Sequence, residues 1–583
     1  MENRKKNISI FIVIVVALAF YVTHSLLYYE TIYNSDGAYV LLQMRDFLLG
    51  NRFDLLHVGY EYCGIIEHFP SAILSFLLPI SWSTVLGMFF YYVVGFFLIC
   101  HVFKNERSKI FALVLLMLFP TPTIFFQSYA ALGGHTYTLF QYFVLIFFLT
   151  HKRFKIKENE NYKYKYSTYI WVGLSGGLAY SSYQLAQLLI VVSIITLIIN
   201  DLHADIQNIS NKVKDIFSKI IIPLVAKVLL FFISIQLGNL PATLSLRFFP
   251  KDHFPGAFSP YFSWHHMMEK IKPFKEVLSS LFAPVWSHDL ILTSGFNHFN
   301  VPVFETFQHR SRIGLAIFFF LVAMIIIYAI INLIKKQTTQ TMFKQILSLP
   351  QNNFAILSML TIFAFIGGYL VRAEFVDIDF ESRYMLTLYF SFLIFFLYMV
   401  HERVSVPIII LFSVVSIFGH SIILYKNYRF LVDSASASTS ASAKELSCQS
   451  LTRTHFFSLI ERVEAKANVK IAVAGSYWEV WPLSTILKTN LVWDVTKNKF
   501  FYNNDKFFKH HPVIYLASTN SVSNQTEQDL PKELLGHNYD FYRSQIGPYL
   551  VYIDNINNLN LMEIINDEMK ILGKGPCKFT RVK

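Results

Sequence analysis

Among the stretches of at least eighteen residues with no Asp, Glu, Lys or Arg are these eight: 8–29, 83–103, 110–151, 166–200, 313–334, 345–371, 384–401 and 404–425. A ninth, 218–237, carries only Lys219 and Lys227. A helix that crosses a bilayer needs about 20 largely apolar residues at roughly 1.5 Å each. Two of the runs are long enough for a pair of helices. The run 110–151 divides at Pro120, Pro122 and Gly133-Gly134, and 166–200 divides into two short helices near Ser181. Eleven spans result, so the sequence predicts a mainly α, polytopic membrane helix bundle.

The cations between the runs orient it. With the N-terminus inside, the inner segments hold Arg4, Lys5 and Lys6, then Lys104, Arg107 and Lys109, the dense run 152–165, Lys212 and Lys214, and Lys335, Lys336 and Lys344. Reading 166–200 as one span would put the later basic segments outside, against the positive-inside rule. The first run is longer than a signal-peptide core and is followed by no small-x-small cleavage site, so it reads as a retained signal anchor. The chain is therefore expected in a plasma or bacterial inner membrane, N-terminus cytoplasmic, with its active site and C-terminal domain external.

Composition agrees. Hydrophobic residues make up 54% of the 583, charged residues 15% and aromatics 17%, which excludes disordered, collagenous and disulfide-scaffold classes. The net charge of +12, from 50 cations against 38 anions, follows the loops between apolar runs, so no nucleic-acid partner is expected.

Residues 1–429 form the expected transmembrane catalytic domain, with outer loops at 30–82 and 239–312. A Ser/Ala-rich linker follows at 430–445, then an external soluble α/β domain at 446–583. Its strands are read at 469–474, 491–495, 513–517 and 549–553, with a helix at 478–488. Cys448 and Cys577 flank that domain, and the sequence leaves open whether they pair. No spaced Cys/His ligand set and no Gly-rich phosphate loop is present.

The first outer loop carries the chemistry-bearing residues: Tyr33-Asn34-Ser35-Asp36-Gly37-Ala38-Tyr39, a stretch ending at Gly50-Asn51, and Tyr60 through Glu67-His68. A carboxylate held partly desolvated just past a membrane helix can act as a general base, and Asp36 has that placement. The competing reading makes Asp36 the cap of a helix starting near Ala38.

These residues, in this order, resemble the GT-C superfamily of membrane glycosyltransferases, in its protein O-mannosyltransferase and aminoarabinose-transferase-like branch. Leu132-Gly133-Gly134-His135, the glycines of 173–177, Glu381-Ser382-Arg383-Tyr384 and Gly475-Ser476-Tyr477-Trp478 continue the likeness. The sequence departs from it at Gly37, where many relatives have Glu; Glu67 is the candidate to complete a carboxylate pair. The resemblance implies inverting transfer of a sugar from a polyprenyl-phosphate donor to a glycan, lipid or protein acceptor on the outer face. Asp36 and Glu67 would then be catalytic. Arg383, Arg372 and Tyr384 would hold the donor phosphate, Arg through its bidentate fork. Tyr39, Tyr60, His68 and His135 would meet substrate. No cofactor is required by the residues, although Glu67-His68 is compatible with a divalent cation.

Other residues carry two readings. Lys227, inside a span, either meets the carrier phosphate or snorkels. His253, His265, His266, Trp264 and Trp286 either line an acceptor groove or belong to an amphipathic interfacial helix. Asp377, Asp379 and Glu381 either pair with Arg383 or are solvated. The rival functions are a transporter or flippase for lipid-linked saccharides, and a non-catalytic envelope assembly protein.

Overall fold

The computed structural model describes, with short gaps, residues 9–23, 35–118, 135–206, 220–249, 263–282, 314–327, 352–370, 385–400, 404–440, 448–494, 499–500, 511–518, 530–554 and 560–582. The chain is mainly helical and divides into two compact units. One is Met1–Ser25, Asp46–Ile291 and Pro302–Leu424; the other is Leu26–Arg45, Leu292–Val301 and Tyr425–Lys583.

The eleven-span bundle is not what the helices form. Among the described residues, one helix is long and apolar enough to cross a membrane, Trp82–Cys100. A second passes only if Ile222–Gly238 and Leu240–Phe248, bent by 47°, are taken as one span. The remaining apolar helices, such as Ser9–Thr23, His135–Thr150, Gln187–Leu202, Ile356–Leu370 and Leu386–Val400, have 10–17 residues. At roughly 1.5 Å per residue these fall short of a hydrocarbon layer of about 30 Å. A charge-free run measures side-chain composition, whereas helix length is set by where the backbone ladder breaks.

The run 166–200 shows such a break. Helix α1 (Ser35–Leu48), α2 (Ile80–Cys100) and α3 (His135–Thr150) precede it. Helix α4 (Tyr166–Ser182) then stops at Tyr183, which is extended (φ −160°, ψ 121°), and α5 (Gln187–Ile206) follows a short 3-10 turn at Gln184–Ala186. Helices α6 (Ile222–Gly238) and α7 (Leu240–Phe248) come next. Across the α4–α6 contact, a Cβ on Gly173, Gly177 or Gly238 would collide with the carbonyls of Phe231, Ile235 and Leu174 respectively. The four-residue glycine spacing in α4 lets the two backbones approach, as small residues do between helices in general.

The basic run after α3 folds as a hairpin, β1 (Lys155–Glu158) against β2 (Asn161–Tyr164), with Lys155 opposite Tyr164. The same unit contains α8 (Trp264–Phe282), α9 (Asn352–Leu370) and α10 (Leu386–Val400), with α9 packed on both α10 and α5. Helix α11 runs for 35 residues, Val406–Ser440, straight through the first part of the Ser/Ala tract expected as a linker. Alanine is the strongest helix former, and nothing in 434–440 breaks the ladder.

The C-terminal unit contains a seven-stranded sheet in the order β5-β4-β3-β6-β8-β7-β9. Strands β3 (Ala472–Gly475), β4 (Val492–Asp494) and β6 (Val513–Ser518) are parallel, with β3 between the other two. The rest, β5 (Lys499–Phe500), β7 (Phe541–Ile546), β8 (Tyr549–Asp554) and β9 (Thr580–Arg581), add antiparallel. The parallel strands read as unbroken apolar runs because both faces are covered, and Ala472, Ala474, Val513, Tyr515 and Ala517 are buried with Trp493. Gly475 closes β3 at φ +147°, and a side chain there would strike the Leu516 carbonyl. Helices α12 (Arg453–Ala467) and α13 (Leu561–Ile571) pack against each other. Cys448 and Cys577 are joined as a disulfide, Cα atoms 5.2 Å apart, across 129 residues of chain.

Candidate functional site

The site is built from the second half of the first loop. Leu56 and Gly64 form an antiparallel bridge, and Ile65 N donates to Leu55 O at 2.9 Å. Leu55 N in turn donates to Ser245 Oγ of α7 at 2.8 Å. Gly64 N donates to Ser182 O at the end of α4, 2.8 Å away, and a Cβ on Gly64 would lie 2.6 Å from Ser181 O. Only glycine allows this close approach. Tyr91 of α2 donates its hydroxyl to Ile66 O at 3.1 Å. The loop is thereby fixed to three helices through main-chain groups.

That fixture aims the next residue. Glu67 lies in a single 3-10 turn, Ile66–His68, and is 1% exposed. Its Oε1 accepts from Thr136 N at 2.7 Å and Tyr137 N at 3.3 Å, the first free amides of α3. A buried carboxylate at a helix N-terminus satisfies orphan donors and faces the positive end of the helix dipole. His68 is fully buried beside it. His135, the first residue of α3, packs edge-on to Tyr183 with ring centroids 4.4 Å apart.

A small cleft lies next to this cap. His135 and Thr138 of α3, Tyr183 and Leu185 at the α4–α5 break, Phe365 of α9, and Leu386 and Thr387 of α10 line it, and it has room for about one water molecule. Further polar pairs join the same helices: Ser391 Oγ donates to the Tyr142 hydroxyl at 3.0 Å, and Ser175 Oγ to Gln141 Oε1 at 2.6 Å. An imidazole and two threonine hydroxyls meet at the cleft, enough polar groups to hold a water between them.

The structure brings Glu67, next to His68, onto the first turn of α3, which His135 opens; the Glu67–Thr136 bond spans 69 residues of chain. Asp36 and Tyr39 lie in α1, which starts at Ser35, so Asp36 belongs to the first helical turn and is not a cap before Ala38. Their side chains, and residues Tyr60, Arg372, Arg383 and Tyr384, lie outside the described residues, as do Asp377, Asp379, Glu381, His253 and Trp286. His265 is exposed on α8, in an ion pair with Glu269 at 3.2 Å. Among the described residues, no three His, Cys, Asp or Glu side chains come together as a metal set, and the Glu67 carboxylate is engaged by amides.

Lys227 of α6 has a definite partner. Its Nζ donates to Asp201 Oδ2 of α5 at 2.6 Å and to Tyr164 O at 2.7 Å, with both side chains buried. Asp201 also accepts from Tyr164 N at 2.8 Å and from the Tyr169 hydroxyl at 3.1 Å. Lys227 is thus the cation of an internal ion pair, neither snorkelling nor open to a carrier phosphate.

Sequence reasoning singled out His135 but missed Thr138, Tyr183, Phe365 and Thr387. Tyr183 alone left a signal, since it follows the Ser181-Ser182 break point in the longest of the split apolar runs after 110–151. No protein-family model, curated protein or solved structure matches this chain.

Proposed function

We propose that the chain is a membrane glycosyltransferase that moves a sugar from a polyprenyl-phosphate donor to an acceptor on the outer face of the membrane. One observation carries the reading: the Gly64–His68 element is held over the N-terminus of α3, with the buried Glu67 carboxylate on the amides of Thr136 and Tyr137. In this reading Asp36 is the general base, and Arg383 and Arg372 hold the leaving phosphate. The acceptor hydroxyl loses its proton to Asp36 as it attacks the anomeric carbon, and the lipid phosphate leaves with the bond electrons. The Cys448–Cys577 bond supports an oxidising, external setting for the C-terminal domain.

The test uses purified full-length protein in detergent with labelled polyprenyl-phosphate sugars. Asp36→Asn should abolish release of polyprenyl phosphate while donor binding persists, because only the proton acceptor is lost. No consumption of any donor by the wild type, or full turnover by Asp36→Asn, would sink the proposal. In proteoliposomes, movement of labelled lipid-linked sugar between leaflets without cleavage would instead select the flippase reading.

A further inference from the structure

The hairpin at the start of α4 holds a second buried cation that the Asp201–Lys227 pair does not use. Lys155 opens β1 opposite Tyr164, is 5% exposed, and places Nζ 5.0 Å from the centroid of the Tyr164 ring. Among the described residues, no hydrogen-bond acceptor meets that Nζ. Asp201 is already committed to Lys227, Tyr164 N and the Tyr169 hydroxyl. A desolvated cation–π contact recovers about 2 kcal/mol, less than the several kcal/mol that burying an ammonium without hydrogen bonds costs.

The groups around the hairpin do not change this balance. The turn before β1 carries His151, Lys152 and Arg153, β1 ends in Glu158 at the hairpin tip, and β2 carries Lys163 and Tyr164. Helix α4 contributes Tyr166 and Tyr169, α5 contributes Asp201 and α6 contributes Lys227. Near the seat the surplus is therefore cationic.

We propose that β1–β2 is a proton-operated latch: it sits on α4, α5 and α6 with Lys155 as the neutral amine, and uptake of one proton releases it. Burial pushes the seated Lys155 amine down from 10.5 to about 7, with Asp201 pulling the other way. The released hairpin has an ordinary lysine, protonated below 10.5. Release therefore becomes easier as pH falls from 10.5 towards 7, about tenfold per unit, and levels off below 7, where the seated amine is protonated too. Helix α4 begins at Tyr166, two residues past the hairpin, and ends just before Tyr183 in the cleft wall, so the latch and the cleft share one helix. The latch does not depend on the transferase proposal.

The experiment is amide hydrogen exchange across 155–164 in the full-length protein in lipid nanodiscs, corrected for the intrinsic pH dependence of exchange. The hairpin should open roughly fifty-fold more at pH 7 than at pH 9. In Lys155→Met the same amides should be as protected at pH 7 as at pH 9. Equal corrected protection of the wild type at the two pH values overturns the latch, as does an unchanged pH dependence in Lys155→Met. Should that variant fail to fold, the wild-type comparison alone decides.

Discussion

Helix α4 has a buried carboxylate near each end, and the two are satisfied in opposite ways. At its start, Asp201 is closed in by an ammonium, a phenol and an amide. Near its other end, Glu67 accepts from two main-chain amides of α3. The first arrangement draws on two side chains and one amide. The second draws on backbone groups and ties the first loop to the first turn of α3. A carboxylate bound to a helix terminus thus fixes a connection between main-chain segments, whereas one bound to a lysine fixes a connection between side chains.

The largest effect should come from breaking the closed end. Lys227→Met leaves Asp201 buried without its cation and should cost about 3–5 kcal/mol of unfolding free energy. Adding Asp201→Asn should return part of that loss, since the amide removes the stranded charge while its oxygen still accepts from Tyr164 N; a double variant as unstable as the single one would mean the pair is not the cause. Gly177→Ala sits nearer the cleft end, against the Ile235 carbonyl. It should cost about 1–3 kcal/mol through overpacking, and hydrogen exchange should rise around Tyr183 before it rises in the hairpin.

Smaller effects separate the two properties of Glu67. Glu67→Ala strands two buried amides and should cost about 1–3 kcal/mol. Glu67→Gln keeps one acceptor oxygen for both bonds and loses only the charge at the helix dipole, about 0.3–1 kcal/mol. Equal losses in thermal melts would show that charge, not amide satisfaction, holds the loop. The smallest structural change is Thr387→Val, expected within about 0.5 kcal/mol of wild-type stability. Its melting curve should overlay that of the wild type.

Some of this was legible in the residues. Gly50-Asn51 ends α1 in a Schellman turn, Gly50 at φ +72° donating to Phe47 O at 3.0 Å and Asn51 N to Asp46 O at 2.9 Å. The break near Ser181 could be read because the loops' charges required an extra reversal there. Glu67 stood out as a residue, but its partners Thr136 and Tyr137 lie beyond a stretch of chain whose path no local pattern gives. Lys227 was visible as an intramembrane-like cation, and Asp201 was not, because it follows an apolar run and reads as a boundary. The count of eleven spans failed for a different reason. Helix ends fall inside charge-free runs, so that His135–Thr150 and Leu386–Val400 are shorter than the runs that hold them, while α11 continues past Lys426, Arg429 and Asp433, where a charge-based reading stops.

The covalent tie between Cys448 and Cys577 has a mechanical consequence. Every strand of the sheet except β9 lies inside the 129-residue ring it closes. A pull applied between the helical part of the chain and Lys583 would run through the sulfur bridge and bypass those six strands entirely, leaving only the last few residues to stretch. A protease that nicks the ring once would likewise free nothing: the two pieces would travel together until a reductant parted them.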